Sequence, residues 1–117
     1  MPLEARDAAS LADMLGFARE AATFCAGRTR ADFDTDPVFF RAIERCLELI
    51  GEAASRVSSV GRQTHPGIPW QMIVGMRNIL AHDYGHIDVG VVWDTVQRRI
   101  PGLIASLEAI VEAPPPS

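Results

Sequence analysis

A chain of 117 residues fits a single domain that can bury one core without metal or disulfide staples, and 48% hydrophobic against 22% charged residues excludes a disordered chain. The net charge of -4 argues against a broad electrostatic footprint for nucleic acid, so any RNA contact has to be local. Glu4, Asp7, Asp13 and Glu20 interrupt the start of the chain, against a secretory leader, and no stretch approaches the roughly 18 to 20 consecutive apolar residues of a membrane span. A cytoplasmic protein is expected.

In chain order, Leu11, Met14, Leu15, Ala18, Ala21, Ala22 and Cys25 recur at three- and four-residue spacings and predict a first helix over about 3–25, with Gly27 as its stop. Residues 28–33 read as a polar loop. Asp36 before Pro37 then pairs an N-cap with a proline at the first helical position, and opens a second helix expected to run to about Ser58. Its seam is Phe39, Ile43, Cys46, Ile50, Ala53 and Val57. Residues 59–68, with Gly61, Pro66 and Gly67, lack periodicity and read as a surface loop. Pro69 opens a third helix whose apolar face is Trp70, Ile73, Met76, Ile79 and Leu80, and Gly85 suits its left-handed terminus. Asp88 caps a fourth helix, with Ile87 and Val92 at the spacing of a hydrophobic staple. Pro101 removes a backbone donor in mid-run, which predicts a kink or a split. The expectation is an all-α protein: an antiparallel bundle of four to five helices in one domain, 1–113, with a short Pro-rich tail, 114–117. Cys25 and Cys46 have neither metal-ligand nor redox spacing and read as small buried hydrophobes.

Arg77, Asn78, His82, Asp83 and Tyr84 fall within eight residues, directly after an apolar turn. Arginine offers a permanent charge and a planar donor fork for phosphate, and histidine moves protons near neutral pH. RNA cleavage needs a base for the 2′-hydroxyl, an acid for the leaving 5′-oxygen, and positive charge beside the phosphorane, and His82 with Arg77 could fill these roles without metal. On a regular helix the two are roughly 140° apart, whereas Asn78 and His82 share a face. Their convergence needs either an unwinding near Ala81 or a dimer that sets two copies side by side. The alternative is structural, with Arg77 paired to Glu44, Glu48 or Glu52 and His82 a satisfied helix-end residue. All eleven basic residues are arginines, and Arg41 and Arg45 could extend a phosphate surface or simply face solvent. His82 and His86 have the spacing of a metal pair, but no third ligand stands at a persuasive distance in sequence.

The segment Ile68-Pro69-Trp70-Gln71-Met72-Ile73-Val74-Gly75-Met76-Arg77-Asn78-Ile79-Leu80-Ala81-His82-Asp83-Tyr84 resembles the HepT-like branch of the HEPN superfamily. Residues 32–41, Leu47-Glu48-Leu49-Ile50-Gly51-Glu52-Ala53-Ala54 and Val91-Val92-Trp93 agree with it in the same order. The resemblance implies a metal-independent endoribonuclease toxin of a type VII-like toxin–antitoxin pair. It would need no cofactor and would act on RNA rather than DNA, as a homodimer with a cleft at the interface. It implies Arg77 and His82 as the cleaving pair, Asn78 orienting the site, and Tyr84 as the residue adenylylated by a minimal nucleotidyltransferase antitoxin. Asp83, from the same cluster, is a further supporting candidate, and Glu52, Arg41 and Arg45 are candidate secondary contacts from their spacing in the second helix. The superfamily also includes non-catalytic modules that bind a nucleotide or the antitoxin through the same groove.

Overall fold

The computed structural model describes residues 3–82 and 87–113. Helix α1, Leu3–Cys25, buries the expected face, with Met14, Ala18 and Ala21 fully enclosed. The chain then turns at Gly27, whose φ of 72° lies in the left-handed region that glycine enters without strain. The stretch expected as a polar loop contains a helical turn, α2, Asp32–Thr35. Its cause is Phe33, which is buried and packs its ring 4.9 Å from Phe39, 5.0 Å from Phe40 and 5.4 Å from Trp93. Arg28 fixes the same corner by standing 4.0 Å over the Phe39 ring while pairing with Asp32 and Asp36.

Helix α3, Pro37–Ser55, starts as the sequence predicts: the Asp36 carboxylate accepts from the Phe39 N–H at 3.1 Å and Pro37 occupies the first turn. It ends earlier than expected, and the predicted loop beyond it holds another short helix, α4, Ser59–Thr64. Two tertiary bonds explain this. Ser58 accepts from the Gly61 N–H at 2.9 Å as the α4 cap, and Asp7 of α1 accepts from both the Ser58 N–H, at 2.9 Å, and its hydroxyl, at 2.5 Å. Those bonds favour the ionised carboxylate and hold Asp7 below the usual aspartate range, assisted by nearby His65. Arg62 reaches back to the Val57 and Ala54 carbonyls, both at 3.2 Å, and so satisfies acceptors left open around the end of α3.

Helix α5, Trp70–His82, is followed by α6, Val89–Asp94, a π-helical turn, Thr95–Arg99, and α7, Ile100–Val111. Asp88 caps α6, accepting from Gly90 N–H at 2.8 Å, and Val92 is buried while Ile87 packs against the core. The expected disturbance at Pro101 takes the form of the π turn: Pro101 offers no N–H, and the ladder ahead of it widens, with the Ile100 N–H bonded to the Thr95 carbonyl. Helix α3 is central, packed on α1 and α5, and α1 also packs on α7. Among the described residues there is no strand, and no helix is long and apolar enough to cross a membrane. Cys25 and Cys46 are buried free thiols, and burial pushes Cys46 up to about 11.

Candidate functional site

Helix α5 carries the polar cluster, and its entry is well anchored. Trp70 donates its indole N–H to the His65 carbonyl at 3.0 Å, and Arg62 lies 5.9 Å from its ring centroid. Trp70, Ile73 and Leu80 are buried. Arg77 falls on that same inward stripe at helical spacing, where an apolar residue would be usual, and Ile79 is turned away from it by roughly 160°. Ile79, expected on the apolar face, is accordingly 54% exposed.

What admits an arginine to the stripe is Gly51 on the facing turn of α3. A Cβ there would come 2.2 Å from Arg77 Cβ and 2.9 Å from the Ile73 carbonyl, so the two helices meet over a glycine. The Arg77 stem is thereby half-buried, and its Nε is buried with no hydrogen-bond partner among the described residues. At its outer end Nη1 donates to Asn78 Oδ1 at 3.1 Å. Asn78 stands about 100° around the helix from Arg77 and only about 40° from His82. The hydrogen bond therefore draws the guanidinium towards the side of the helix that His82 occupies.

The backbone of α5 remains helical through His82, so the unwinding near Ala81 that would bring Arg77 and His82 together within one chain is not seen. The side chain of His82, and Asp83, Tyr84, Gly85 and His86, lie outside the described residues, as does the 114–117 tail. Two of the carboxylate partners considered for Arg77 are engaged elsewhere, Glu44 with Arg41 and Glu48 with Arg45, each at 2.8 Å, and the third, Glu52, makes no ion pair among the described residues. Arg41 and Arg45 are exposed and neutralised by these bonds, so they lend no open cation to Arg77. No group of three His, Cys, Asp or Glu side chains among the described residues is arranged to hold a metal ion. Sequence reasoning missed Gly51 as a positioning residue. Its signal was a glycine inside an amphipathic helix, which costs about 1 kcal/mol relative to alanine unless close packing requires it.

A family profile described as "Ribonuclease HepT-like" matches residues 14–110, from the middle of α1 to the last turn of α7. The chain belongs to the HepT-like ribonuclease family. It is 38% identical over 81 residues, covering 69% of this chain and 72% of the relative, to the protein named "Putative RNase TTE0752" of Caldanaerobacter subterraneus subsp. tengcongensis. It is 39% identical over 79 residues, 68% of this chain and 72% of the relative, to "Probable ribonuclease HepT" of Thermococcus cleftensis. A longer match, 32% identical over 104 residues and covering 89% of this chain and 90% of the relative, is to "Putative RNase MJ0125" of Methanocaldococcus jannaschii. No solved structure matches.

Proposed function

We propose that this HepT-like protein is a metal-independent endoribonuclease in which Arg77 and His82 of two copies form a composite cleft. The observation that carries this reading is the state of Arg77, a guanidinium on a packed helix face, without a carboxylate partner among the described residues and steadied by Asn78. A charge so placed is suited to a phosphate. His82 takes the proton from a ribose 2′-hydroxyl. The 2′-oxygen attacks phosphorus, the bond to the 5′-oxygen breaks, and a second copy of His82 protonates that oxygen, leaving a 2′,3′-cyclic phosphate and a 5′-hydroxyl. Arg77 balances the charge that builds on the phosphorane, and Asp83 supports His82. The offset of Arg77 from His82 on one helix and the exposed Ile79, about 60° round the helix from His82, both favour a second copy at this end of α5.

In the same proposal the protein is the cytoplasmic toxin of a type VII-like pair, and Tyr84 is its control point. The Tyr84 hydroxyl attacks the α-phosphorus of ATP held by a minimal nucleotidyltransferase antitoxin, and pyrophosphate leaves. The AMP so placed, two residues beyond His82, is a bulky anion that repels RNA and occludes the phosphate site.

The test is cleavage of a panel of cellular RNAs, with EDTA present, by wild-type protein and by His82→Ala. Cyclic phosphate ends that vanish in the variant are expected. Folded, dimeric protein unmodified at Tyr84 that cuts nothing would recast Arg77 and His82 as contacts for a nucleotide or for the antitoxin.

A further inference from the structure

Helix α5 packs on α3 and α7 packs on α1, and between α5 and the π turn leading into α7 there remains a cavity of about 310 Å³. That is the size of a small-ligand pocket. Its floor is apolar, with Leu47 and Ile50 of α3 and Ile73 of α5 all buried, and Met72 and Met76 line the α5 side. The opposite rim is cationic. Arg98 and Arg99, consecutive in the π turn, both line it. Arg19, Arg28, Arg41, Arg45 and Arg56 are neutralised in ion pairs elsewhere, whereas Arg98 and Arg99 join none among the described residues. In a chain of net charge -4, two adjacent guanidiniums outside any ion pair among the described residues, with Asp94 beside them on the outer side of the turn, border an apolar cavity and ask for a ligand with a flat apolar body and an anionic end.

We propose that this cavity is a nucleotide subsite, taking a nucleobase against Met72 and Met76 and its phosphate on Arg98 and Arg99. Methionine suits the role because its flexible, polarisable thioether packs against ring faces and adapts to more than one base. The nucleotide belongs to the RNA strand. Ile73 lines the cavity and Arg77 follows one helical turn later, about 5 to 6 Å along the axis, but the guanidinium is drawn towards Asn78 and away from Met76, so a strand with a phosphate at Arg77 has to pass round α5 to seat a base here. The source of the nucleotide rests on the ribonuclease reading, while the pocket itself does not.

The methionines provide the assay. With methyl-labelled methionine, adenosine 5′-monophosphate and a 2′-O-methyl oligoadenylate, which lacks the attacking hydroxyl, should each shift the Met72 and Met76 methyl signals saturably. Met14, fully buried in α1, should stay fixed. Ribose 5-phosphate should bind much more weakly than adenosine 5′-monophosphate, since it lacks the base. Arg98→Gln/Arg99→Gln, a change confined to exposed side chains, should weaken both ligands by roughly tenfold or more. Gly102→Leu fills the cavity without touching a charge, because a Cβ at Gly102 meets nothing within 4 Å, and it should abolish the shifts. Silent Met72 and Met76 methyls, or unchanged affinity in the double arginine variant, would overturn the subsite. Shifts with the mononucleotide alone would overturn the strand as its source. RNA cleavage with silent methyls sinks this inference and spares the ribonuclease; shifts without cleavage do the reverse.

Discussion

Gly51 and Arg77 meet so closely that a methyl group on the glycine would sit 2.2 Å from the arginine Cβ. The contact explains how a charged side chain occupies the packing face of α5, and it makes Gly51→Ala a test of positioning. Overpacking of this kind costs about 1 to 3 kcal/mol, offset in part by about 1 kcal/mol of helix propensity. Thermal unfolding should therefore show a modest net loss of stability. RNA cleavage per folded molecule should fall tenfold or more, because the guanidinium is pushed off its place. Gly75→Ala, on α5 with Arg77, is the control: nothing lies within 4 Å of its added Cβ, so stability should rise slightly with cleavage unaltered. Equal cleavage by wild-type and Gly51→Ala protein would show that Arg77 placement does not matter.

Asn78 holds the outer end of the same guanidinium at 3.1 Å. Because Asn78 is exposed, Asn78→Ala should leave the melting temperature nearly unchanged and lower kcat/KM for an RNA substrate by up to about tenfold, the scale of a hydrogen bond to a charged group. Asn78→Asp should do more harm. It retains the acceptor but places an anion where the substrate phosphate must approach, so KM should rise steeply and the defect should ease with added salt.

Asp7 ties α1 to the start of α4 through Ser58, and the bonds it accepts depress its folded pKa below the ordinary 3.8. A depressed carboxylate contributes stability that is present above the unfolded pKa and is lost as pH falls through the folded value. Wild-type protein should accordingly be well above Asp7→Asn in melting temperature at pH 7, and the gap should narrow as the pH falls below the ordinary aspartate value of 3.8. A gap that stays constant across that range would assign the effect to shape rather than charge.

The long elements were legible because their signals are local. Asp36 with Pro37, and Asp88 with Val92, announce helix starts within five residues, and the apolar spacing of α1 and α3 needs no tertiary knowledge. The two short helices were not legible. Helix α2 exists because Phe33 finds Trp93 on α6, and α4 because Ser58 meets Asp7, partners far away along the chain. The site shows the same division. The grouping of Arg77, Asn78 and His82 could be read directly, but that Arg77 faces inward and Ile79 outward depends on a glycine in another helix. The proline at 101 foretold a disturbance, though not that the resulting π turn would set Arg98 and Arg99 beside a cavity.

The outward-facing isoleucine offers a direct test of the composite cleft. Ile79 is 54% exposed in the single chain, next to Asn78 and one turn before His82. If a second copy covers this face, Ile79 is buried in the dimer and an aspartate there would be stripped of water without a partner, a penalty of several kcal/mol. In the isolated chain the same substitution costs almost nothing. Ile79→Asp should therefore sediment as a monomer where the wild type sediments as a dimer, keep its helical content and unfolding temperature as a monomer, and lose RNA cleavage along with dimerisation. A monomeric Ile79→Asp protein that still cuts RNA at the wild-type rate would place the whole of catalysis within one chain, with the Arg77 guanidinium reaching round the helical backbone of α5 towards His82.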